Sequence, residues 1–151
     1  TIQPIKEAAE IAHSVGALAF TDAVQAVGSI PVDVKELGVD MLSLSGHKLG
    51  TPKGIGALYI RKGLRIKNLI DGGGQESGRR GGTENLPYII GLATAIEHAY
   101  ARLPEMERVA KLRDYLIDNI LAAIPHSTLN GPRAGRLPGN VNIGVGSICI
   151  G

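Results

Sequence analysis

Cysteine and aromatic residues are scarce in this sequence. Its 151 residues include one cysteine, one phenylalanine and no tryptophan, and aromatic side chains make up 3% of the chain. A single cysteine, Cys149, excludes a disulfide framework within the chain and favours a reducing compartment. Because 44% of the residues are hydrophobic and 20% are charged, the composition is typical of a globular protein rather than a disordered one.

An excess of one charge and long apolar runs are also missing. Sixteen basic and fourteen acidic side chains give a formal charge of +2, which argues against nucleic acid or an anionic membrane as the partner. No apolar run approaches the roughly 18 residues of a membrane span, and the chain does not open on a signal pattern. We therefore expect a cytoplasmic protein that binds neither nucleic acid nor membrane.

The order of apolar and amphipathic segments predicts an α/β fold. Ala17–Phe20 is apolar without alternation, as expected for a buried strand of a parallel sheet. Asp33 is expected to cap a short helix that ends at Gly38. The predicted strands are Ala17–Phe20, Met41–Leu44, Ile55–Ile60, Leu64–Ile70, Ser127–Leu129 and Val141–Ile143. The predicted helices are Pro4–Ser14, Asp33–Leu37, Pro87–Ala101 and Pro104–Ile124.

A long loop and a helix break divide the chain. The segment Asp71–Asn85 has six glycines in fifteen residues, and loops of this length are usually functional or disordered. Leu103 and Pro104 interrupt the helical pattern and predict a boundary between residues 1–103 and 104–151. Both ends read as cut, so we expect a piece of a longer protein.

A lysine and an acid each follow a predicted strand. Lys48 comes just after the strand Met41–Leu44, and Asp22 comes just after Ala17–Phe20. Ligands of open parallel sheets bind at the carboxyl ends of the strands. A buried lysine there would be a nucleophile toward carbonyls, whereas a lysine that reaches solvent is about equally consistent with its position. Asp22 is equally consistent with a cap on the turn that follows.

Ser45, Gly46 and His47 predict an anion site next to this lysine. A turn with exposed backbone N–H groups and a hydroxyl can hold a phosphate, and a glycine lets a ligand approach the backbone. Gln25 lies one turn after Asp22 and could reach the same ligand, although a solvent-facing position is equally consistent. Thr83, in the glycine loop, could also contact an anion, but such a loop alone is weak evidence. The four histidines are scattered, so we expect no metal site.

Four motifs, taken together, resemble the cysteine desulfurases of the class V aminotransferases, in particular the nitrogenase and iron–sulfur-cluster type. They are TDAVQAVG (21–28), SGHK (45–48), PKGIGALY (52–59) and GGGQESGRRGGTEN (72–85). The resemblance covers nearly the whole chain. It implies part of the mostly parallel large domain of a fold-type I pyridoxal-phosphate transferase, over residues 1–103, followed by the start of an α+β small domain.

The resemblance also implies roles for single residues. Lys48 would hold pyridoxal 5'-phosphate as a Schiff base and later move a proton. Asp22 would pair with the pyridine nitrogen, and Gln25 would bind the phenolic oxygen. Ser45 and His47 would bind the phosphate. A last phosphate contact would come from Thr83 across the interface of a homodimer, so that two subunits share each active site.

The implied reaction converts L-cysteine to L-alanine and leaves a persulfide on an enzyme cysteine. The sulfur would pass to an acceptor or scaffold protein for iron–sulfur clusters or thiolation. Cys149 lacks the small-residue loop of the family's nucleophile, so we interpret it as a buried or edge-strand cysteine. The persulfide cysteine and the arginine for the substrate carboxylate would lie outside this chain, which alone would be inactive. A selenocysteine lyase and a non-catalytic α/β interaction module remain as alternatives.

Overall fold

The computed structural model describes residues 1–146, which form two small sheets with helices packed beside them. The strands are β1 (Phe20–Asp22), β2 (Met41–Ser45), β3 (Gly56–Ile60), β4 (Ser127–Leu129) and β5 (Ile143–Val145). The helices are α1 (Ile5–Ser14), α2 (Val34–Leu37), α3 (Gln75–Gly78), α4 (Leu86–Ala101) and α5 (Met106–Ala123). The predicted α/β class is confirmed.

The first sheet has the strand order β1-β2-β3 and mixes two kinds of pairing. Strand β1 runs parallel to β2, with Phe20 opposite Met41 and Asp22 opposite Ser43. Strand β3 runs antiparallel to β2. The parallel pair places the carboxyl ends of β1 and β2 at one edge of the sheet, where the sequence predicted a site.

Local signals set the short helix between these strands. The Asp33 carboxylate accepts hydrogen bonds from the amides of Lys35, at 2.7 Å, and Glu36, at 3.2 Å. These bonds satisfy two amide donors that otherwise have no partner in the first turn of a helix. Gly38 ends the helix with a left-handed backbone, at φ 68°. Both the cap and the stop are as the sequence predicted.

The hydrophobic core of the part of the chain that contains α1, α2 and the first sheet lies against one face of that sheet. Strand β1 alternates, with Thr21 buried and Phe20 and Asp22 exposed. The buried core residues are Ala9, Ala23, Val27, Val39 and Leu42.

The prediction of a buried strand at Ala17–Phe20 is wrong in both position and burial. The side chains of Leu18 and Phe20 are 52% and 56% exposed. Pairing begins where the Ala19 carbonyl accepts the amides of Asp40 and Met41. No element within residues 1–146 covers the face that carries Phe20.

The segment after β3 differs from its prediction as well. Leu64–Ile70 is not a strand and pairs with none of the described strands, and Leu69 is 96% exposed. The glycine-rich stretch that follows contains the four-residue α3, inside which Glu76 and Ser77 have left-handed backbones. The rest of the stretch is irregular, as predicted.

Helix α5 and strands β4 and β5 form a second unit, in which Ile117 of α5 is fully buried. Strands β4 and β5 are antiparallel, with Leu129 opposite Ile143. Strand β5 begins two residues later than predicted, at Ile143 instead of Val141. A 3-10 turn at Leu103–Glu105 marks the expected boundary, although the division into domains 1–103 and 104–151 stays a prediction. Cys149 lies outside the described residues.

Candidate active site

The structure brings the two sequence motifs to the same edge of the first sheet. Asp22 ends β1 and lies opposite Ser43 of β2. Two residues further along, Ser45 ends β2, and a 3-10 turn at Gly46–Lys48 follows. Since β1 and β2 are parallel neighbours, both motifs leave the sheet at its carboxyl edge. This juxtaposition is the one that the sequence predicted.

Asp22 does act as a cap in the structure. Its Oδ1 accepts a hydrogen bond of 2.9 Å from the Val24 amide. The chain then makes one helical turn, in which the amides of Ala26 and Val27 donate to the Ala23 carbonyl. Oδ2 of Asp22 makes no hydrogen bond within residues 1–146, and the side chain is exposed. The carboxylate can therefore cap the turn and still receive a donor from a ligand.

A cavity of about 420 Å³ opens beside Asp22. Asp22 and Gln25 line it together with Thr21 at the end of the strand. Most of its remaining wall is apolar and includes Leu137, which comes from the loop between β4 and β5. The cavity is thus a predominantly apolar space with a carboxylate and an amide at one side, the composition of a site for a small organic molecule.

Ser45 and His47 are paired at the end of β2. The Ser45 Oγ lies 2.7 Å from His47 Nδ1, and the bond is exposed to solvent. In the tautomer with the proton on Nε2, the hydroxyl donates to Nδ1 and the Nε2–H group is free for an anion. The pair can therefore provide one neutral N–H donor, from His47, to a phosphate.

Gly46 has a different role from the predicted one. It is buried, and its amide donates to the Ile55 carbonyl at 2.9 Å, so this N–H group is not available to a ligand. A Cβ at this position would meet Thr51 Oγ1 and would lie 2.8 Å from Ile55 Cγ2. The glycine is needed because the loop after the turn packs against it. Close approach of a phosphate to the Gly46 amide is excluded in this conformation.

Lys48 is exposed at the end of the turn, so the burial argued from the sequence is not found in this chain. It lines a second cavity, of about 360 Å³, between the turn and α4, rather than the cavity beside Asp22. His98 of α4 and Arg102, the residue after this helix, contribute to the same wall. The structure therefore places Lys48 at the predicted edge but does not bring it into one cavity with Asp22.

Thr83 stays apart from the other candidates. It is exposed in the segment that precedes α4 and lines neither cavity. The neighbouring Gly81 is fixed by its own hydrogen bond to the Ile70 carbonyl, at 2.9 Å. The predicted contact of Thr83 with a phosphate remains a prediction.

Sequence reasoning missed the charged group at the opposite edge of the sheet. Asp40, just before β2, is fully buried, and its Oδ2 lies 2.8 Å from both the Ala19 amide and His13 Nε2. Its Oδ1 lies 2.7 Å from Arg61 Nε. The backbone hydrogen bond from Ala19, the bond from His13 and the charge of Arg61 lower the pKa of Asp40. The sequence signal that could have indicated this buried charge is an aspartate directly before an apolar strand.

Two classes of feature are not found in the part of the chain that the structure describes. Residues 1–146 hold no group of three or more histidine, cysteine or carboxylate side chains that could bind a metal ion. Within the same residues, no helix is both long and apolar enough to cross a membrane.

Comparison with known families indicates the function of the carboxyl edge of the first sheet. The model of the family "Aminotransferase class-V" matches residues 1–149. The chain belongs to the aminotransferase class-V family. Enzymes of this family depend on pyridoxal phosphate, the cofactor that the four motifs implied.

Relatives of this class-V chain carry more specific names. It is 54% identical over 143 residues to a protein named cysteine desulfurase IscS from Dictyoglomus turgidum, covering 94% of this chain and 36% of the relative. The solved structure of a NifS-like protein matches it with a TM-score of 0.85 at 41% identity, covering 91% of this chain and 38% of that one. A structure titled "SspA in complex with cysteine" matches with a TM-score of 0.63 at 48% identity, covering 65% and 29%. The chain thus spans about a third of the length of these proteins.

Proposed function

We propose that the protein containing this chain is a pyridoxal-phosphate-dependent cysteine desulfurase. It would convert L-cysteine to L-alanine and keep the sulfur as a persulfide. The observation that carries the proposal is the Ser45–Lys48 segment at the carboxyl edge beside Asp22, in a class-V chain. The relatives named cysteine desulfurase and the neighbour solved with cysteine support this choice of substrate.

The residues at this edge fit the cofactor. When bound, pyridoxal phosphate stabilises negative charge that develops at the α-carbon of an amino acid. The paired Ser45 and His47 have a donor for its phosphate. Asp22 has an oxygen without a hydrogen bond among residues 1–146, which is available to the pyridine nitrogen, and Gln25 lines the same cavity and is assigned to the phenolic oxygen.

Lys48 supplies the amine that this chemistry needs. Its exposed side chain is available to hold the carbonyl carbon of the cofactor and then to move a proton at the α-carbon of the substrate. The further burial that would activate this amine requires parts of the protein outside this chain, which spans 36% of its relative. We propose that the chain alone has no desulfurase turnover.

The assembly and the sulfur route are part of the same proposal. Thr83, which lines neither of the two cavities described above, would contact the phosphate in the partner subunit of a homodimer. The sulfur would go to an acceptor or scaffold protein for iron–sulfur clusters or thiolation in the cytoplasm.

Cofactor binding by the complete protein tests the proposal directly. We expect the wild-type protein to be yellow after incubation with pyridoxal phosphate and to form alanine from L-cysteine with a reductant present. Lys48→Ala should lose the characteristic absorbance band, whereas Lys53→Ala, an exposed lysine in the next loop, should keep both band and turnover. A colourless wild-type protein would overturn the proposal, and faster turnover of selenocysteine would move it to a selenocysteine lyase.

A further inference from the structure

The segment that follows β1 lines both cavities. Asp22 and Gln25 line the first cavity, whereas Gly28 lines the second one together with Lys48. Gly28 follows the helical turn after Asp22 and has a left-handed backbone, at φ 78°. It is also the last residue of the motif TDAVQAVG (21–28), and none of the roles proposed above uses it. The segment that carries Asp22 therefore reaches the cavity of Lys48 through this glycine.

Gly28 lies in close contact with two other parts of the chain. A Cβ at this position would lie 3.0 Å from Cδ2 of Leu49, the residue after Lys48, and 3.0 Å from Cβ of Ala99 in α4. Carbon atoms that are not bonded to each other prefer a separation of about 3.5–4.0 Å. A methyl group on Gly28 would therefore displace either Leu49 or α4.

The backbone around Gly28 is held on both sides. Before the glycine, the Ala23 amide donates to the Ser43 carbonyl of β2 at 2.9 Å. After it, the Val32 carbonyl accepts a hydrogen bond of 2.7 Å from the Tyr100 hydroxyl of α4. Because the segment is bonded to the sheet and to the helix, it resists moving away from an added methyl group.

Leu49 connects this contact to the lysine. Its side chain packs against the buried core of the first sheet. Its amide donates to the Gly46 carbonyl at 2.7 Å, which closes the turn that carries Lys48. Closely packed interiors transmit strain because they contain few voids. Displacement of Leu49 would therefore shift the backbone of the adjacent Lys48.

We propose that Gly28 is a positioning residue for Lys48. The absence of a side chain at Gly28 would set the spacing between the segment that carries Asp22 and the turn that carries Lys48. The proposal rests on the proposed function, since it concerns the placement of the lysine that holds the cofactor. Gly28 itself takes no part in the chemistry.

The substitution Gly28→Ala tests this role in the complete protein, with Gly38→Ala as the matched control. Gly38 also has a left-handed backbone, at φ 68°, but a Cβ there meets nothing within 4 Å. The control therefore carries the backbone strain of an alanine without the contact. For Gly28→Ala, we expect about tenfold weaker affinity for pyridoxal phosphate and about tenfold lower kcat for L-cysteine. Titration of the cofactor's absorbance band measures the affinity.

The control should keep the wild-type affinity and kcat, because its strain lies away from Lys48. Wild-type values in Gly28→Ala would overturn the positioning role. Equal losses in the two variants would overturn it as well, since backbone strain alone would then explain the effect.

Double variants test the direction in which the displacement travels. Leu49→Ala removes the methyl group that the new Cβ would meet. Measured in the Leu49→Ala background, the loss caused by Gly28→Ala should shrink to about twofold or less. Ala99→Gly relieves the contact with α4 instead and should rescue less. Rescue by Ala99→Gly but not by Leu49→Ala would overturn the proposal, because the displacement would then go into the helix.

Hydrogen exchange measures the same coupling before any cofactor is added. Gly28→Ala should speed amide exchange in peptides covering residues 46–50, whereas Gly38→Ala should leave it at the wild-type rate. If Gly28→Ala does not fold, Gly28→Asn and Gly38→Asn replace the pair, since asparagine tolerates a left-handed backbone and still carries a Cβ. Unchanged exchange in the folded variant at Gly28 would overturn the proposal.

The positioning role and the proposed function fail in different ways. A yellow, active wild-type protein with unchanged exchange in Gly28→Ala would overturn the positioning role alone. A colourless wild-type protein would overturn the proposed function and, with it, the placement of a cofactor lysine. The exchange experiment would then still decide whether Gly28 sets the spacing between the two segments.

Discussion

The two edges of the first sheet carry charges in opposite settings. At the amino end of β2, Asp40 is fully buried and is matched by His13, Arg61 and the Ala19 amide. At the carboxyl edge, Asp22 at the end of β1 and Lys48 after β2 are exposed, and within residues 1–146 neither forms a salt bridge. The first sheet thus carries a buried, paired carboxylate at one edge and exposed charges without salt bridges at the other.

The difference between the two edges indicates two roles: Asp40 stabilises the sheet, whereas Asp22 can bind a ligand. The contacts of Asp40 join α1, the start of β1 and the end of β3, so its charge is already used within the fold. Asp22 uses one oxygen for its turn and leaves the other without a partner among the described residues. Hydrogen-bonding capacity that the fold leaves unused is what a cofactor can recruit.

The largest effect should come from removing the charge of Asp22. Asp22→Asn keeps an oxygen to accept the Val24 amide, so the turn should remain folded. Without the negative charge, kcat for L-cysteine in the complete protein should fall about 100-fold or more. Steady-state kinetics and a thermal melt measure the two effects together. Wild-type kcat in this variant would mean that Asp22 is only a cap, and the comparison of the two edges would fail.

Gly46→Ala should be the most damaging small change to stability at the carboxyl edge. The added methyl would collide with Thr51 and Ile55, and overpacking of this kind costs about 1–3 kcal/mol. This exceeds the roughly 0.4–1 kcal/mol that alanine gains by restricting the unfolded chain.

The control for this substitution is Gly91→Ala in α4, where a Cβ meets nothing within 4 Å. It should be neutral or stabilising by up to about 1 kcal/mol. Urea unfolding of the three proteins gives the comparison. Equal stability of Gly46→Ala and wild type would show that the loop after the turn can move away.

Asp40→Asn should lower stability and leave catalysis nearly intact. The amide cannot replace the negative charge that faces Arg61 and His13, so we expect a lower midpoint of urea unfolding. The kcat of the folded enzyme should stay close to that of wild type, because Asp40 lies at the edge away from the candidate site. Asp118→Asn, at an exposed pair with Arg133, should change stability by less than about 1 kcal/mol. A loss of kcat in Asp40→Asn that equals the loss in Asp22→Asn would contradict the separation of the two edges.

Lowering the pH should remove the difference in stability between the wild-type protein and Asp40→Asn. The folded state lowers the pKa of Asp40 from its ordinary value of 3.8, so the charge stabilises the fold at pH values above that. The stabilisation is lost as pH falls through the folded pKa, when the carboxylate is protonated in both states. Unfolding midpoints measured from about pH 7 down to about pH 2 should therefore converge. A constant gap across this range would mean that the Asp40 contacts do not depend on its charge.

Local features of the sequence predicted much of the fold and of the site. The cap at Asp33 and the stop at Gly38 depend on neighbouring residues alone, and both were found. The placement of Asp22 and Lys48 at one edge followed from two consecutive strands that pair in parallel. Such signals are readable because the partners lie within a few residues or follow a general rule of sheet topology.

Contacts between distant residues were not predictable in this way. The partners of Asp40 lie 21 and 27 residues away or beyond β3, and a sequence pattern does not indicate which amide or histidine will reach a carboxylate. Burial of Phe20 was predicted from composition, but it depends on a neighbour that residues 1–146 do not supply. Leu137 shows no pattern that would link it to Asp22.

The packing around Gly46 has a consequence for how this motif will vary in evolution. Its side-chain space is taken by Thr51 and Ile55, and its amide is used by the backbone of Ile55. Selection on the glycine therefore acts through folding and does not depend on catalysis. A descendant that lost Lys48 and its chemistry would still keep Gly46, so retention of this glycine in a remote homologue is no measure of whether that homologue is an enzyme.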